Sequence, residues 1–371
     1  MTTFSRARAT DGARTLDARW YCDPAIFALE NERIFGRSWI VAGRADEFAE
    51  SGAFTTVEIA GESLIVVRGS DGSLRAFFNV CGHRGTRMCQ EPAGRFGGSI
   101  RCPYHAWTYG LDGRLMAARY MDDTPGFALA DYALSSASVA EWGGFVFVSL
   151  APDAAPFAEA LAPLADRFAA WRLDALRVAR RFDYEVAANW KLLFQNYSEC
   201  YHCAVIHPQL ERLSPWDSGR NDLRDGPVLG GYSALREGVH RLTTGPDVPF
   251  GPLCDVGGED LRRAYYYTIF PTLLLSLQPD YAMAHVVEPL AVDRTRVVCE
   301  LLFSPAQMAT PGFDPSGVAA FWDTTNRQDW RVSELSQRGI ASRAYRPGPY
   351  ARSEGLLEAF DRHYLAQMEP A

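Results

Sequence analysis

The stretch CGHRGTRMCQEPAGRFGGSIRCPYH, residues 81–105, holds two short donor pairs, Cys81-x-His83 and Cys102-x-x-His105, separated by 18 residues. Two cysteines and two histidines can bind one zinc ion tetrahedrally. They can also divide over a two-iron, two-sulfur cluster, with Cys81 and Cys102 on one iron and His83 and His105 on the other. The neighbouring residues favour the cluster. His83-Arg84-Gly85 and Cys102-Pro103-Tyr104-His105 carry tight-turn chemistry, and Tyr109–Leu115 (YGLDGRL) reads as strand, glycine-containing turn and strand. Two loops presented side by side by hairpins suit a cluster held at loop tips. Zinc stays open on the residues alone.

Outward from this stretch, residues Trp39 to Leu150 show short apolar runs broken by Gly-Glu and Asp-Gly turns, a β-rich pattern. Before it, residues 23–36 predict a helix, with Asp23 as cap, Pro24 in the first turn and Gly36 at the end. After it, Ala151–Pro156 reads as a linker and residues 157–171 as an alanine-rich helix. The chain is thus expected to divide into an N-terminal segment and helix packing on the second domain (1–38), a β domain (39–150), a linker (151–156) and that second domain (157–371). In the last, AYYYTIFPTLLLSLQPDYAMAHVVEPL and RTRVVCELLFSP read as strands of an antiparallel sheet. The class is α+β.

A chain of 371 residues is long enough for two such domains. With 47% hydrophobic and 22% charged residues its composition is that of a globular protein, and a net charge of −8 argues against nucleic acid or a membrane surface as partner. No apolar run reaches spanning length, Ile269–Leu277 being short and broken by Pro271. The opening MTTFSRARATDGARTLDAR has arginines but no apolar core, so the sequence predicts a poorly ordered start and no signal peptide. Eight cysteines are too few for a disulfide scaffold. Beyond Cys81 and Cys102, the other six (Cys22, Cys89, Cys200, Cys203, Cys254, Cys299) read as buried thiols in a reducing cytoplasm.

The second informative stretch is NWKLLFQNYSECYHCAVIHPQL, residues 189–210, which contains Glu199, His202 and His207. Non-haem Fe(II) oxygen chemistry uses two histidines and one carboxylate on one face of the metal, leaving positions open. Either histidine alone reads equally as a buried or surface imidazole. On a straight helix, residues five apart point about 140° away from each other. Pro208 disfavours helix at His207, so a helix carrying Asn196, Glu199 and His202 is expected to end or widen into a π-turn there. Cys200-x-x-Cys203 could be redox-active or half a zinc site; the plainer reading is two small side chains facing helical neighbours. For the third ligand, residues 314–339 predict a helix capped by Asp314 and ended by Gly339. Asp329 falls on its apolar stripe, where a carboxylate is costly unless bound; Asp323 ranks second.

CxHRG followed by CPYHxWTYxLDGxL resembles the Rieske domain of the ring-hydroxylating oxygenase family. The His83–Cys102 gap is about one residue longer than usual there, an excess that the Gly94–Gly98 loop can absorb. Gly82 and Tyr104 stand where respiratory Rieske proteins carry a disulfide, so the motif looks like the lower-potential oxygenase type. N-x-x-E-x-x-H-x-x-x-x-H beside NWK, together with NRQDW, resembles the family's mononuclear iron motif. The resemblance spans about Trp39 to Tyr364 and implies a helix-grip catalytic domain whose sheet curves around the active site. It also implies His202, His207 and Asp329 as iron ligands and Asn196 as a residue positioning them. The family usually has aspartate at the place of Glu199, a carboxylate thought to link an iron-binding histidine to a Rieske histidine of the next subunit.

The resemblance further implies an oxygenase α subunit with a [2Fe–2S] Rieske cluster and a mononuclear Fe(II), using O2, assembled as an α-only homotrimer in the cytoplasm. No G-x-G-x-x-G or flavin motif is present, so the electrons from NAD(P)H are expected through a separate reductase, with or without a ferredoxin. The ECYHC, PDY, NRQDW and YRPGPY segments look most like members acting on quaternary ammonium compounds (glycine betaine, stachydrine, carnitine), although Gln278 replaces a histidine common there. Aromatics would cage such a cation; Tyr201, Val205, Tyr232, Tyr266 and Tyr281 are the pocket candidates. Hydroxylation or N-demethylation of that class is the leading reading, and an aromatic acid or biosynthetic intermediate the alternative. A pure Rieske electron carrier would have no use for His202, His207 and Asp329.

Overall fold

Asp23 ends one short helix, α1 (Arg19–Cys22), and its carboxylate accepts the Ala25 N–H (2.9 Å) to start the next, α2 (Pro24–Glu30). That helix widens into a π-turn over Asn31–Phe35, where Gly36 N–H reaches Asn31 O (2.8 Å). The computed structural model describes residues 3–246 and 250–369. Within it the chain forms two units, one of Asn31–Phe157 and one joining Met1–Glu30 to Ala158–Ala371.

The first unit is built of strands: β1 (Ile40–Arg44), β2 (Ala53–Ile59), β3 (Glu62–Arg68), β4 (Leu74–Phe78), β5 (Ala93–Arg95), β6 (Ser99–Arg101), β7 (Thr108–Gly110), β8 (Leu115–Ala117), β9 (Ser136–Trp142) and β10 (Phe145–Ser149). They make a seven-stranded sheet ordered β1-β10-β9-β4-β3-β2-β5 and a three-stranded sheet β6-β7-β8, with antiparallel pairings. The Gly143-Gly144 hairpin has positive φ at both residues (56° and 74°), the twist-matched two-residue turn that glycine permits. Phe54, Ile65, Val67, Phe77, Trp107 and Tyr109 close a core that includes Cys81 and Cys102.

The predicted helix over 157–171 is short. Only α3 (Phe157–Ala160) forms, followed by single tight turns, because Pro163 would leave a gap in the helical hydrogen-bond ladder. The second unit then folds as β11 (Arg177–Val186), α4 (Trp190–Tyr197), α5 (Cys203–Ile206), α6 (Pro208–Glu211), β12 (Arg220–Leu223), β13 (Val228–Ala234), β14 (Arg263–Ile269), β15 (Leu273–Leu277), β16 (Ala282–Ala291) and β17 (Arg294–Phe303). Among the described residues three helices come after the last strand: α7 (Pro305–Met308), α8 (Ser316–Ile340) and α9 (Gly355–Met368). The sheet, ordered β11-β17-β16-β15-β14-β13-β12, is antiparallel and curved. Helix α8 lies on it, burying Val318, Phe321, Trp322, Asn326 and Trp330, while Asp323 accepts from Tyr184 (2.8 Å) on β11. No described helix is long and apolar enough to cross a membrane.

The NWK tripeptide anchors α4. Asn189 caps it, accepting the Lys191 N–H (3.0 Å) and donating to Val292 O (2.6 Å). Trp190 donates to the buried Glu30 carboxylate (2.9 Å), which also pairs with the buried Lys191 ammonium and accepts from Tyr364 (2.6 Å). A buried ion pair of this kind is tolerated only when fully hydrogen-bonded; here it ties α2, α4 and α9 together.

Candidate metal centres and active-site cavity

Cys81 and Cys102 sit in two loops of one design. Each cysteine N–H donates to the carbonyl five residues on (Thr86, 2.9 Å; Trp107, 2.8 Å), and each cysteine carbonyl accepts from the residue four on (Gly85, 3.0 Å; Ala106, 3.1 Å). That fourth residue takes positive φ in both, 69° at Gly85 and 59° at Ala106. Asn79 staples the first loop, accepting from Met88 (3.0 Å) and Cys89 (2.9 Å) and donating to Cys89 O (2.7 Å). The cysteines are buried and the histidines half-exposed. The two Nδ1 atoms of His83 and His105 lie 3.1 Å apart, and His83 stacks on Trp107 at 4.8 Å. Tyr109 hydroxyl reaches Cys81 Sγ (3.4 Å), a hydrogen bond available to a cluster sulfur ligand. Two buried thiols and two imidazoles with Nδ1 atoms 3.1 Å apart, carried on two loops of one design, fit a [2Fe–2S] group with two ligands per iron.

The second donor set joins elements far apart in the chain. Ligand atoms of His202, His207 and Asp329 lie within 4.8 Å of one another. Asp329 Oδ1 is 2.8 Å from His207 Nε2 and 3.3 Å from His202 Nε2. The other nitrogen of each ring is held: His202 Nδ1 donates to Glu199 Oε1 (2.5 Å) and His207 Nδ1 to Gln328 Oε1 (2.7 Å). These bonds turn both Nε2 atoms toward Asp329, where a metal ion would take the place of the contacts to the carboxylate. Gln209 donates to Gln328 (2.7 Å), and Glu199 also accepts the N–H groups of Tyr201 and His202. Burial pulls the His202 imidazole down, but its hydrogen bonds to Asp329 and Glu199 outweigh this and lift it to about 10; a metal ion replaces that proton. Two imidazoles and one carboxylate converging on one point fit a non-haem iron.

The helix expected to carry Asn196, Glu199 and His202 and to end or widen into a π-turn at His207 ends earlier than that. Helix α4 stops at Tyr197, a turn carries Glu199 and His202, and α5 and α6 are single turns on either side of His207, where φ is −119° and ψ 64°. The helix therefore ends before Glu199, and the break after Tyr197 frees His202 and His207 from the 140° separation. Cys200 and Cys203, expected as free thiols, form a disulfide across that turn. Cys254 is exposed, so it is not a buried thiol either.

A cavity of about 150 Å³ opens beside the three donors. Asn196, Tyr201, Tyr232 and Tyr266 line it, as do Tyr197, Trp216, Thr268, His285 and Trp322. Two pocket candidates lie elsewhere. Val205 is 81% exposed, because α5 turns it outward, and Tyr281 is buried behind the wall, donating to Leu242 O (3.2 Å) and accepting from Trp322 (2.7 Å). Tyr265 and Tyr267 alternate away from Tyr266 on β14 and also stay outside. Gln278 is buried behind the cavity lining, within reach of the Tyr266 hydroxyl.

A two-centre iron oxygenase is the class that this pairing of folds and donor sets defines. Residues 173–370 match the model of the ring-hydroxylating alpha subunit catalytic domain, and residues 38–132 that of the Rieske [2Fe–2S] domain. The chain belongs to the Rieske non-haem iron oxygenases, an oxidoreductase family whose members carry the cluster and a mononuclear iron. It is the oxygenase subunit of a system that takes its electrons from a separate reductase. It is 38% identical to the carnitine monooxygenase oxygenase subunit of Acinetobacter pittii, over 97% of this chain and 94% of that protein. With the glycine betaine monooxygenase oxygenase subunit of Chromohalobacter salexigens the identity is 33%, over 97% and 87%. The solved quaternary ammonium Rieske monooxygenase CntA superposes with a TM-score of 0.82 at 27% identity, covering 96% of each chain.

Proposed function

We propose that this chain hydroxylates a small quaternary ammonium compound at a carbon bonded to nitrogen, using O2 and electrons delivered through its Rieske cluster. The observation that carries this is the convergence of His202, His207 and Asp329 on a cavity walled by Tyr197, Tyr266 and Trp322. Aromatic faces attract a methylammonium group through their quadrupoles, and about 150 Å³ suits a compact substrate. The relatives named for glycine betaine and carnitine act on this class. Hydroxylation of an N-methyl carbon gives a carbinolamine that releases formaldehyde, so demethylation is the expected outcome there.

Bound iron supplies O2 activation and the cluster supplies single electrons. The protein's own part is to set tautomers and exclude water. Glu199 and Gln328 orient the two imidazoles, and Asn196 stands at the cavity wall beside them. Glu199 accepts from His202, and our reading gives it the further task, in a homotrimer, of accepting from a cluster histidine of a neighbouring subunit. Electron transfer between subunits in the related CntA supports this role for Glu199. The reductase, with or without a ferredoxin, would dock on the oxygenase in the cytoplasm.

The test incubates the iron-loaded oxygenase with a surrogate reductase, ¹⁸O2 and a panel of quaternary ammonium compounds and aromatic acids. Labelled product or formaldehyde from a quaternary ammonium compound is expected; turnover of the aromatic acids alone would overturn the substrate class. Glu199→Gln should keep both metals and slow steady-state turnover. Unchanged single-turnover and steady-state rates would remove it from the electron path.

A further inference from the structure

We infer that the N-terminal segment is part of the active site, and that Arg6 on it binds a carboxylate carried by the substrate. The segment, expected to be poorly ordered, is held by an isolated antiparallel bridge to the outer strand of the sheet. Ser5 and Asn221 on β12 exchange two backbone hydrogen bonds (2.9 and 2.8 Å), and Ala7 N–H donates to the Asn221 side chain (3.0 Å). Phe4 packs edge-on against Tyr232 (5.0 Å), and Arg224 donates to Ser5 Oγ (2.5 Å). Side chains alternate along an extended chain, so Arg6 leaves on the side opposite Ser5 and lines the cavity.

Arg6 is the one lysine or arginine among the described cavity-lining residues. Its guanidinium donates to the Asp217 carbonyl, and no carboxylate among the described residues pairs with it. A guanidinium offers five N–H donors in a planar fork that matches a carboxylate two-on-two. The cavity's acidic side chains are already engaged, Glu199 by His202 and Asp329 by both histidines. An anion entering the cavity therefore has Arg6 as its charged partner, while the aromatic walls take the apolar or cationic end. The inference rests on the reading of this cavity as the substrate site and adds the group that fixes the substrate's orientation.

The experiment uses the anaerobic iron-loaded protein without reductase, so no turnover occurs, and follows binding by calorimetry. Three probes of similar size separate the contributions: glycine betaine has cation and carboxylate, 3,3-dimethylbutanoate the carboxylate alone, and choline the cation alone. Arg6→Gln should weaken both carboxylates about 10- to 100-fold and leave choline unchanged, and Arg6→Lys should restore part of the loss. Should the quaternary ammonium reading be wrong, choline will not bind, yet 3,3-dimethylbutanoate will still bind and still depend on Arg6. Equal affinity of wild type and Arg6→Gln for the carboxylates overturns the inference. So does an equal loss for all three probes, which marks a displaced segment, or failure of the wild type to bind either carboxylate at 10-fold above the concentration that saturates with choline.

Discussion

The cluster loops and the iron site both gather two histidines and acidic or thiol donors, yet they are built by opposite means. In the loops each cysteine is fixed by the backbone of its own six residues, with the same two hydrogen bonds in both copies. In the catalytic unit each imidazole is fixed by a side chain, and Gln328 and Asp329 reach His207 from 121 and 122 residues away. Local backbone closure can form a site before the rest of the domain is complete. A site held by side chains on separate elements exists only when the sheet and α8 are in place.

The largest expected effects separate the two centres. His202→Ala should abolish product formation while leaving the visible absorption of the cluster intact, because the four cluster donors belong to the other unit; loss of the cluster spectrum would break the distinction. Cys81→Ser should do the reverse, erasing that spectrum while the purified protein still binds one iron per chain. Next in size is Gln328→Leu, which removes the acceptor that orients His207. A loss of iron affinity of about 10- to 100-fold is expected, with the cluster content unchanged; unaltered iron affinity on titration with a competing chelator would show that α8 packing alone orients the ring.

A pH effect should be confined to the catalytic unit. Burial, partly offset by hydrogen bonds from Tyr350 and Gln195, raises the Asp361 carboxyl to about 7 from an ordinary value near 3.8. Between about pH 4 and pH 7 the folded protein keeps a proton that the unfolded chain has released. The stability this provides is fully present below the unfolded value and is lost as pH rises through 7. Asp361→Asn should therefore gain on wild type between pH 5 and pH 8, by no more than about 2.6 kcal/mol. Thermal unfolding at the two pH values measures this; a constant gap would mean that Asp361 does not titrate there. The smallest effect belongs to the loops. Gly85→Ala meets no atom within 4 Å, so only its positive φ is penalised, by about 1 kcal/mol. Ala106→Gly should return a similar amount, as read from denaturant midpoints.

The candidate donors stood out before any fold was known. Cys81, His83, Cys102 and His105 stand out because glycine, proline and short spacing force a tight loop wherever they occur, and Asp329 because a carboxylate on an apolar helix stripe is costly unless it is bound. Gln328 and Gln209 were not legible, since a polar residue at a helix surface has no signature of its partner. Where α4 stops was left to packing in three dimensions, and that break turned Val205 outward and brought His202 and His207 together. Packing likewise bridges an unpatterned, arginine-bearing N-terminus to the sheet edge, because the order there comes from Asn221 and Tyr232, more than two hundred residues along the chain. Local chemistry can be read one residue at a time, whereas an edge waiting for a strand exists only once the sheet has formed.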